Sequence, residues 1–158
     1  MLFRSLGVIA RKYKIPVFAN AKTWDAMDGL VGNIPTDLQF HFDMETMKTF
    51  GGIDIQSFAV SHDAADPMFY TFNEAGRKLV VITDTGYVSD RMKGHIAAAD
   101  SYVFESNHDV EMLNSGPYSF SLRQRILGDK GHLSNYDCSR YLSNFISFIN
   151  LAPLTFTQ

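Results

Sequence analysis

The chain has 158 residues, a formal net charge of -3 and a single cysteine, with 46% hydrophobic and 20% charged residues. This length suits one domain, whereas two would each have little core to bury, and the apolar fraction excludes global disorder. One cysteine excludes an internal disulfide framework and a cysteine-rich zinc site, and mild acidity excludes a broadly basic surface. No apolar run reaches the roughly 18 residues of a membrane span, and the opening MLFRSLGVIARKYKIP is too basic after its short apolar part for a secretory signal. The expectation is one soluble, cytoplasmic α/β domain that does not cross a membrane.

Leu6, Ile9, Ala10 and Tyr13 recur at helical spacing, and Ile15-Pro16 ends that helix because proline disfavours the helical region for its predecessor. Residues 16–19 then read as a short buried strand. Thr23 is the predicted cap of a second helix, with Trp24 and Met27 facing inward and Gly32 stopping it. Leu38, Phe40 and Phe42 alternate with polar residues, as in a half-buried strand, and Gly51-Gly52 leads into a further strand over 53–60. Residues 68–72 and 78–83 form a predicted hairpin across the four residues 73–76, with Gly76 supplying the turn.

Ser89 opens a helix to about Ala99, and a strand follows over 101–105. Short helices are predicted from Asp109 to the Gly116-Pro117 stop and over 122–127. Ser134 and Asp137 resemble a capping box ahead of the apolar stripe Cys138, Tyr141, Leu142, Phe145 and Ile149. The tail, 151–158, looks like the start of a strand. The order is α-β-α, a run of antiparallel strands, then β-α-β-α-α, without repeats or linkers.

The polar residues of interest stand at strand ends, where sheets present their sites. His62 follows the strand ending at Val60, Asp84 follows Ile82, Glu105 ends Tyr102-Val103-Phe104, and His132 precedes the last long helix. Each also has an ordinary reading: a hydrogen-bonded loop histidine, or an Asp-Thr-Gly turn in which Asp bonds its own backbone and Gly86 takes a positive φ. His41 and His95 read as structural or exposed. Together, imidazoles and carboxylates at adjacent strand ends form a ligand set for zinc, manganese or iron, and one carboxylate can bridge two such ions. Lys93, Arg123, Arg125 and Lys130 are either phosphate contacts or ordinary surface charges.

The segments Val60-Ser61-His62-Asp63-Ala64-Ala65-Asp66-Pro67, Thr83-Asp84-Thr85-Gly86-Tyr87, Glu105-Ser106-Asn107-His108-Asp109 and Gly131-His132-Leu133-Ser134-Asn135 resemble the metallo-β-lactamase-fold hydrolases. Within them, the chain is similar to the YycJ/WalJ group along nearly its whole length. The resemblance implies an αββα sandwich with two divalent metal ions, zinc or manganese, at the sheet edges. It implies that His62 ligates one metal, that Asp84 bridges both, and that His132 protonates the leaving group. Glu105 matches an acidic position behind the ligands, and His108 belongs to the group's signature without an assigned role. The activity implied is phosphodiester hydrolysis by a metal-bound hydroxide, with DNA the favoured substrate and exonuclease-like action.

Two departures qualify that expectation. The family's His-x-His-x-Asp-His signature is absent from residues 1–158, and Pro153 stands in Leu151-Ala152-Pro153-Leu154-Thr155 where the family has a ligating histidine. The resemblance therefore implies a partial domain over 1–158, an incomplete sandwich lacking its first strands and C-terminal elements. His62 and Asp84 are two ligands, fewer than the three that hold a catalytic zinc tightly. The alternative to an enzyme is thus an inactive remnant or binding fragment of one. An incomplete sandwich leaves an apolar sheet face and open strand edges, which predicts self-association. Sedimentation velocity is expected to show species larger than a monomer, and a monodisperse monomer would contradict this.

Overall fold

The computed structural model describes residues 3–146 and 155–157. The architecture is mixed α/β, built on a six-stranded sheet and a two-stranded sheet. Helix α1 (Phe3–Tyr13) leads into β1 (Val17–Ala19), α2 (Ala21–Met27) and β2 (Gln39–His41), which pairs in parallel with β1. The large sheet contains β3 (Met47–Phe50), β4 (Ile53–Ala59), β5 (Met68–Glu74), β6 (Arg77–Ile82), β7 (Ser101–Glu105) and β8 (Thr155–Thr157), adjacent in that order. Helices α3 (Asp90–Ile96), α4 (Val110–Ser115), α5 (Phe120–Leu127) and α6 (Asn135–Ile146) complete the described chain. No helix among the described residues is long and apolar enough to cross a membrane. Pro153, where the ligand departure falls, lies outside the described residues.

The central strands β5, β6 and β7 carry apolar residues on both faces, as expected of a sheet with a layer on either side. In one row Thr71, Val80 and Tyr102 are paired neighbours and all buried. That face packs with Phe58, Phe69, Ile82 and Phe104 against Met92 and Ile96 of α3 and Cys138, Leu142 and Phe145 of α6. The opposite row, Tyr70, Val81 and Val103, is only half-buried. A cavity of about 390 Å³ lies on that side, lined by Phe18, Phe42, Phe50, Ile55, Tyr70 and Phe72. A smaller core joins α1 and α2 to the two-stranded sheet through Ala10, Val17, Met27 and Val31.

Local signals placed most elements, and the departures have identifiable causes. Asn20, rather than Thr23, caps α2: its Oδ1 accepts the Thr23 N–H at 2.8 Å, and its Nδ2 donates to the Asp66 carbonyl at 2.8 Å. The strand around Phe40 pairs in parallel with β1 instead of joining the antiparallel run, which leaves Phe40 41% exposed. Strand β3, a stretch with no predicted element, pairs with β4 across Gly51-Gly52, both at positive φ. The hairpin turn is a two-residue one, Ala75-Gly76, with φ of 48° and 76°, because pairing continues to Glu74 and Arg77. On α1, Ile9 and Tyr13 face outward, and the packed side is Leu6, Gly7 and Ala10. Gly7 permits this approach, since a Cβ there would lie 2.2 Å from the Val31 carbonyl oxygen.

Cys138 is fully buried, and burial pushes its thiol above the ordinary range. It therefore reports opening of the main core. Alkylation of Cys138 by iodoacetamide is expected to be slow in the parent and faster in Ile82→Ala, for which the core loss is about 2–5 kcal/mol. Rapid labelling of the folded parent would contradict this packing.

Candidate active site

Strand direction brings the candidate residues together. β4 and β5 are antiparallel, β5 and β6 are antiparallel, and β6 and β7 are parallel. β4, β6 and β7 therefore run the same way, and their C-terminal ends share one sheet edge. His62 follows β4, Asp84 follows β6, and Glu105 is the last residue of β7. His132 reaches the same edge because the chain before α6 is tied alongside the segment after β7. The Asn107 N–H donates to the Leu133 carbonyl at 3.0 Å, and the Asn135 N–H donates to the His108 carbonyl at 2.9 Å.

His62, Asp84 and His132 each offer one ligand atom, and the three atoms lie within 4.8 Å of one another. It is the one such group of three or more His, Cys, Asp or Glu residues among the described residues. The His62 Nδ1 lies 3.0 Å from the Gly131 carbonyl oxygen, which can only accept. Nδ1 therefore carries the hydrogen, and Nε2 holds the lone pair. His132 Nδ1 lies 2.5 Å from Glu105 Oε1, while Glu105 Oε2 accepts the N–H of Thr85 at 2.6 Å and of Leu133 at 3.3 Å. His132 thus donates from Nδ1, leaving Nε2 free to act. Two imidazole nitrogens and a carboxylate oxygen fit a single divalent cation. The third donor, His132, is one more than the two ligands counted from sequence.

Backbone contact between loops holds this geometry. Asp84 itself adopts the left-handed region, with φ of 53°, which Asp tolerates better than most residues. Gly86 does not take the positive φ expected of it; its requirement is space. A Cβ at Gly86 would lie 2.1 Å from the Asp129 carbonyl oxygen, and one at Gly131 would lie 2.2 Å from those of Arg125 and Ile126. The Gly86 N–H donates to the Ser61 carbonyl at 2.8 Å, and Ser61 Oγ donates to the Asp129 carbonyl at 2.7 Å. The loops carrying His62, Asp84 and His132 are thereby in direct contact.

One pairing at the site has no local signal in the sequence. Asp63 Oδ1 stands 3.4 Å from His62 Nε2, and its carboxylate accepts from Arg125 Nε at 2.5 Å and Nη2 at 3.1 Å. That hydrogen bond holds Asp63 below the usual carboxylate range. The pair's contribution to stability is therefore present above the ordinary carboxylate pKa and lost only in acid, as pH falls through the lowered value. Residues 63 and 125 are far apart in sequence, so no local pattern signals them. His108, whose role the resemblance leaves unassigned, has a buried Nε2 without a partner among the described residues, and burial lowers the pKa of its imidazole. His41 is exposed, and His95 stacks on Phe58 with ring centroids 3.9 Å apart, so both have the ordinary roles expected of them.

Comparison with known proteins gives the fold and curated relatives. The chain is 58% identical over 144 residues to exodeoxyribonuclease YycJ of Bacillus anthracis, covering 91% of this chain and 54% of the relative. It is 53% identical over 134 residues to exodeoxyribonuclease WalJ of Streptococcus pneumoniae, covering 84% of this chain and 50% of the relative. Its structure aligns with the metallo-β-lactamase fold protein YhfI of Bacillus subtilis at a TM-score of 0.61 and 12% identity, covering 87% of this chain and 53% of that one. The chain has the metallo-β-lactamase fold and is a relative of the YycJ/WalJ proteins. No family profile matches it. The chain spans about half the length of the curated YycJ and WalJ relatives.

In this metallo-β-lactamase-fold chain, a Cβ at Gly131 would meet two backbone carbonyl oxygens at once, those of Arg125 and Ile126. Gly131→Ala is expected to displace the 129–132 loop and break the His62–Gly131 hydrogen bond. The check is the two-dimensional NMR pattern of the His62 ring nitrogens, which is expected to lose its single Nδ1–H tautomer.

Proposed function

We propose that this chain carries residues of a metal-dependent phosphodiesterase site that acts on DNA, as the exodeoxyribonuclease names of its relatives suggest. The observation that carries the reading is the convergence of His62, Asp84 and His132 within 4.8 Å, with Glu105 fixing the His132 ring. Imidazole and carboxylate donors suit zinc or manganese. A divalent cation held there supplies Lewis acidity toward a phosphate oxygen.

His62 and Asp84 hold the cation in this reading. The Gly131 carbonyl keeps the His62 hydrogen on Nδ1, so Nε2 is presented as the ligand atom. His132 acts as the acid, delivering a proton from Nε2 to the leaving oxygen. Glu105 accepts the opposite Nδ1–H and steadies the charged ring during that transfer, a role that requires the carboxylate to stay put. The Thr85 and Leu133 N–H groups hold it in place.

A second reading, a binding fragment without turnover, is favoured by the size of the donor set. His62 and Asp84 are two ligands for the cation, fewer than the three that hold a catalytic zinc tightly, and the resemblance implies two ions. Calorimetric titration with Mn²⁺ and hydrolysis of end-labelled single-stranded DNA separate the readings. The expected result is about one Mn²⁺ bound per chain, lost in His62→Ala, and cation-dependent cleavage. His132→Ala is expected to keep the cation and lose about 10²-fold or more in cleavage rate. Cation binding with no cleavage by the parent would favour the binding fragment.

A further inference from the structure

A phosphodiester is an anion, and this site's edge is acidic. Asp63, Asp84 and Glu105 all contribute carboxylates to it, in a chain whose formal charge is -3. A nucleic-acid strand needs a local cation there, and four basic side chains were candidates from the sequence. Lys93 is bonded to Asp90 at 2.7 Å within α3. Arg123 donates from Nη1 to the Asn114 carbonyl. Lys130 is exposed and has no hydrogen-bond or ion-pair partner among the described residues. Arg125 alone of the four is fastened beside the site, through Asp63, the residue next to His62.

The manner of that fastening matters. Asp63 takes Nε–H and one Nη2–H, the side edge of the guanidinium. Three of the five N–H donors remain: both on Nη1 and the outer one on Nη2. Those groups form the end edge of the plane, the parallel fork that matches two oxygens of a phosphate. The Arg125 side chain is 60% exposed, so this edge is open to solvent rather than committed to the core.

Resting on the phosphodiester reading above, we propose that Arg125 grips a phosphate of the bound strand through its Nη1/Nη2 edge, and that Asp63 is the positioning residue that aims it. Asp63 removes the rotational freedom of a long side chain before the strand arrives, so less is lost on binding.

The test is fluorescence anisotropy of a labelled oligothymidylate with the 158-residue chain, across a salt series. Arg125→Ala is expected to weaken binding about tenfold and to make the salt dependence shallower by about one phosphate contact. Arg125→Lys keeps the charge but not the fork, and is expected to recover only part of the loss. It also serves as the reading variant if Arg125→Ala no longer shows the parent's thermal melt. Arg123→Ala is expected to bind as the parent does. Asp63→Asn is the decisive variant: it removes a negative charge, so simple charge counting expects tighter binding, whereas loss of aim expects weaker binding. Binding by Asp63→Asn as tight as or tighter than the parent, or unchanged binding by the Arg125 variants, overturns the proposal and leaves the phosphodiester reading intact. Failure of the parent itself to bind overturns that reading and this proposal with it.

Discussion

The site depends on one buried carboxylate. Glu105 is 8% exposed and would be costly to desolvate alone, but its two oxygens meet three donors from two loops. Thr85 brings the turn after β6, and His132 and Leu133 bring the segment before α6. Thr85 and Leu133 are themselves almost fully buried, so without Glu105 their N–H groups would be left unpaired, at about 1–3 kcal/mol each. The same group that orders the loops also sets the His132 tautomer. Structure and chemistry are coupled through this side chain.

Around that point the chain uses rigid parts. Three strands ending at one sheet edge set the spacing of His62, Asp84 and Glu105, and the edge is backed by the core on α3 and α6. The loops also touch backbone to backbone, which is why Gly86 and Gly131 stand where a Cβ would not fit. A site supported this way keeps ligand atoms within a few ångströms before any cation is bound. The other sheet face, with its aromatic cavity beside the two-stranded sheet, is less closely packed.

Charge is distributed with similar economy. His62 and His132 each have one nitrogen engaged by a group that can only accept, a carbonyl in one case and a carboxylate in the other. That leaves both Nε2 atoms for the chemistry. Positive charge enters through Arg125, whose side edge belongs to Asp63 and whose end edge is open. In the reading proposed above, that open edge is what an acidic rim needs to meet a phosphate.

Much of this was legible in the residues themselves. Ser89 and Asp109 accept the N–H groups of Met92 and Met112, as their cap positions suggested, and Ser134 does the same for Asp137. His62, Asp84, Glu105 and His132 were visible because polar residues after apolar strands are a local pattern, and the family resemblance named them. The sequence could not show that Ile9 and Tyr13 face solvent while Gly7 packs, that the strand at Phe40 joins β1, or that Asp84 rather than Gly86 takes the positive φ. Nor could it join Asp63 to Arg125 across 62 positions. Helical period, strand alternation and capping are decided by neighbours within a few residues, so the sequence by itself determined the elements and the types of donor present. Which faces meet, which loops touch and which nitrogen of each histidine is left free depend on contacts between distant segments, and only the tertiary structure decided them.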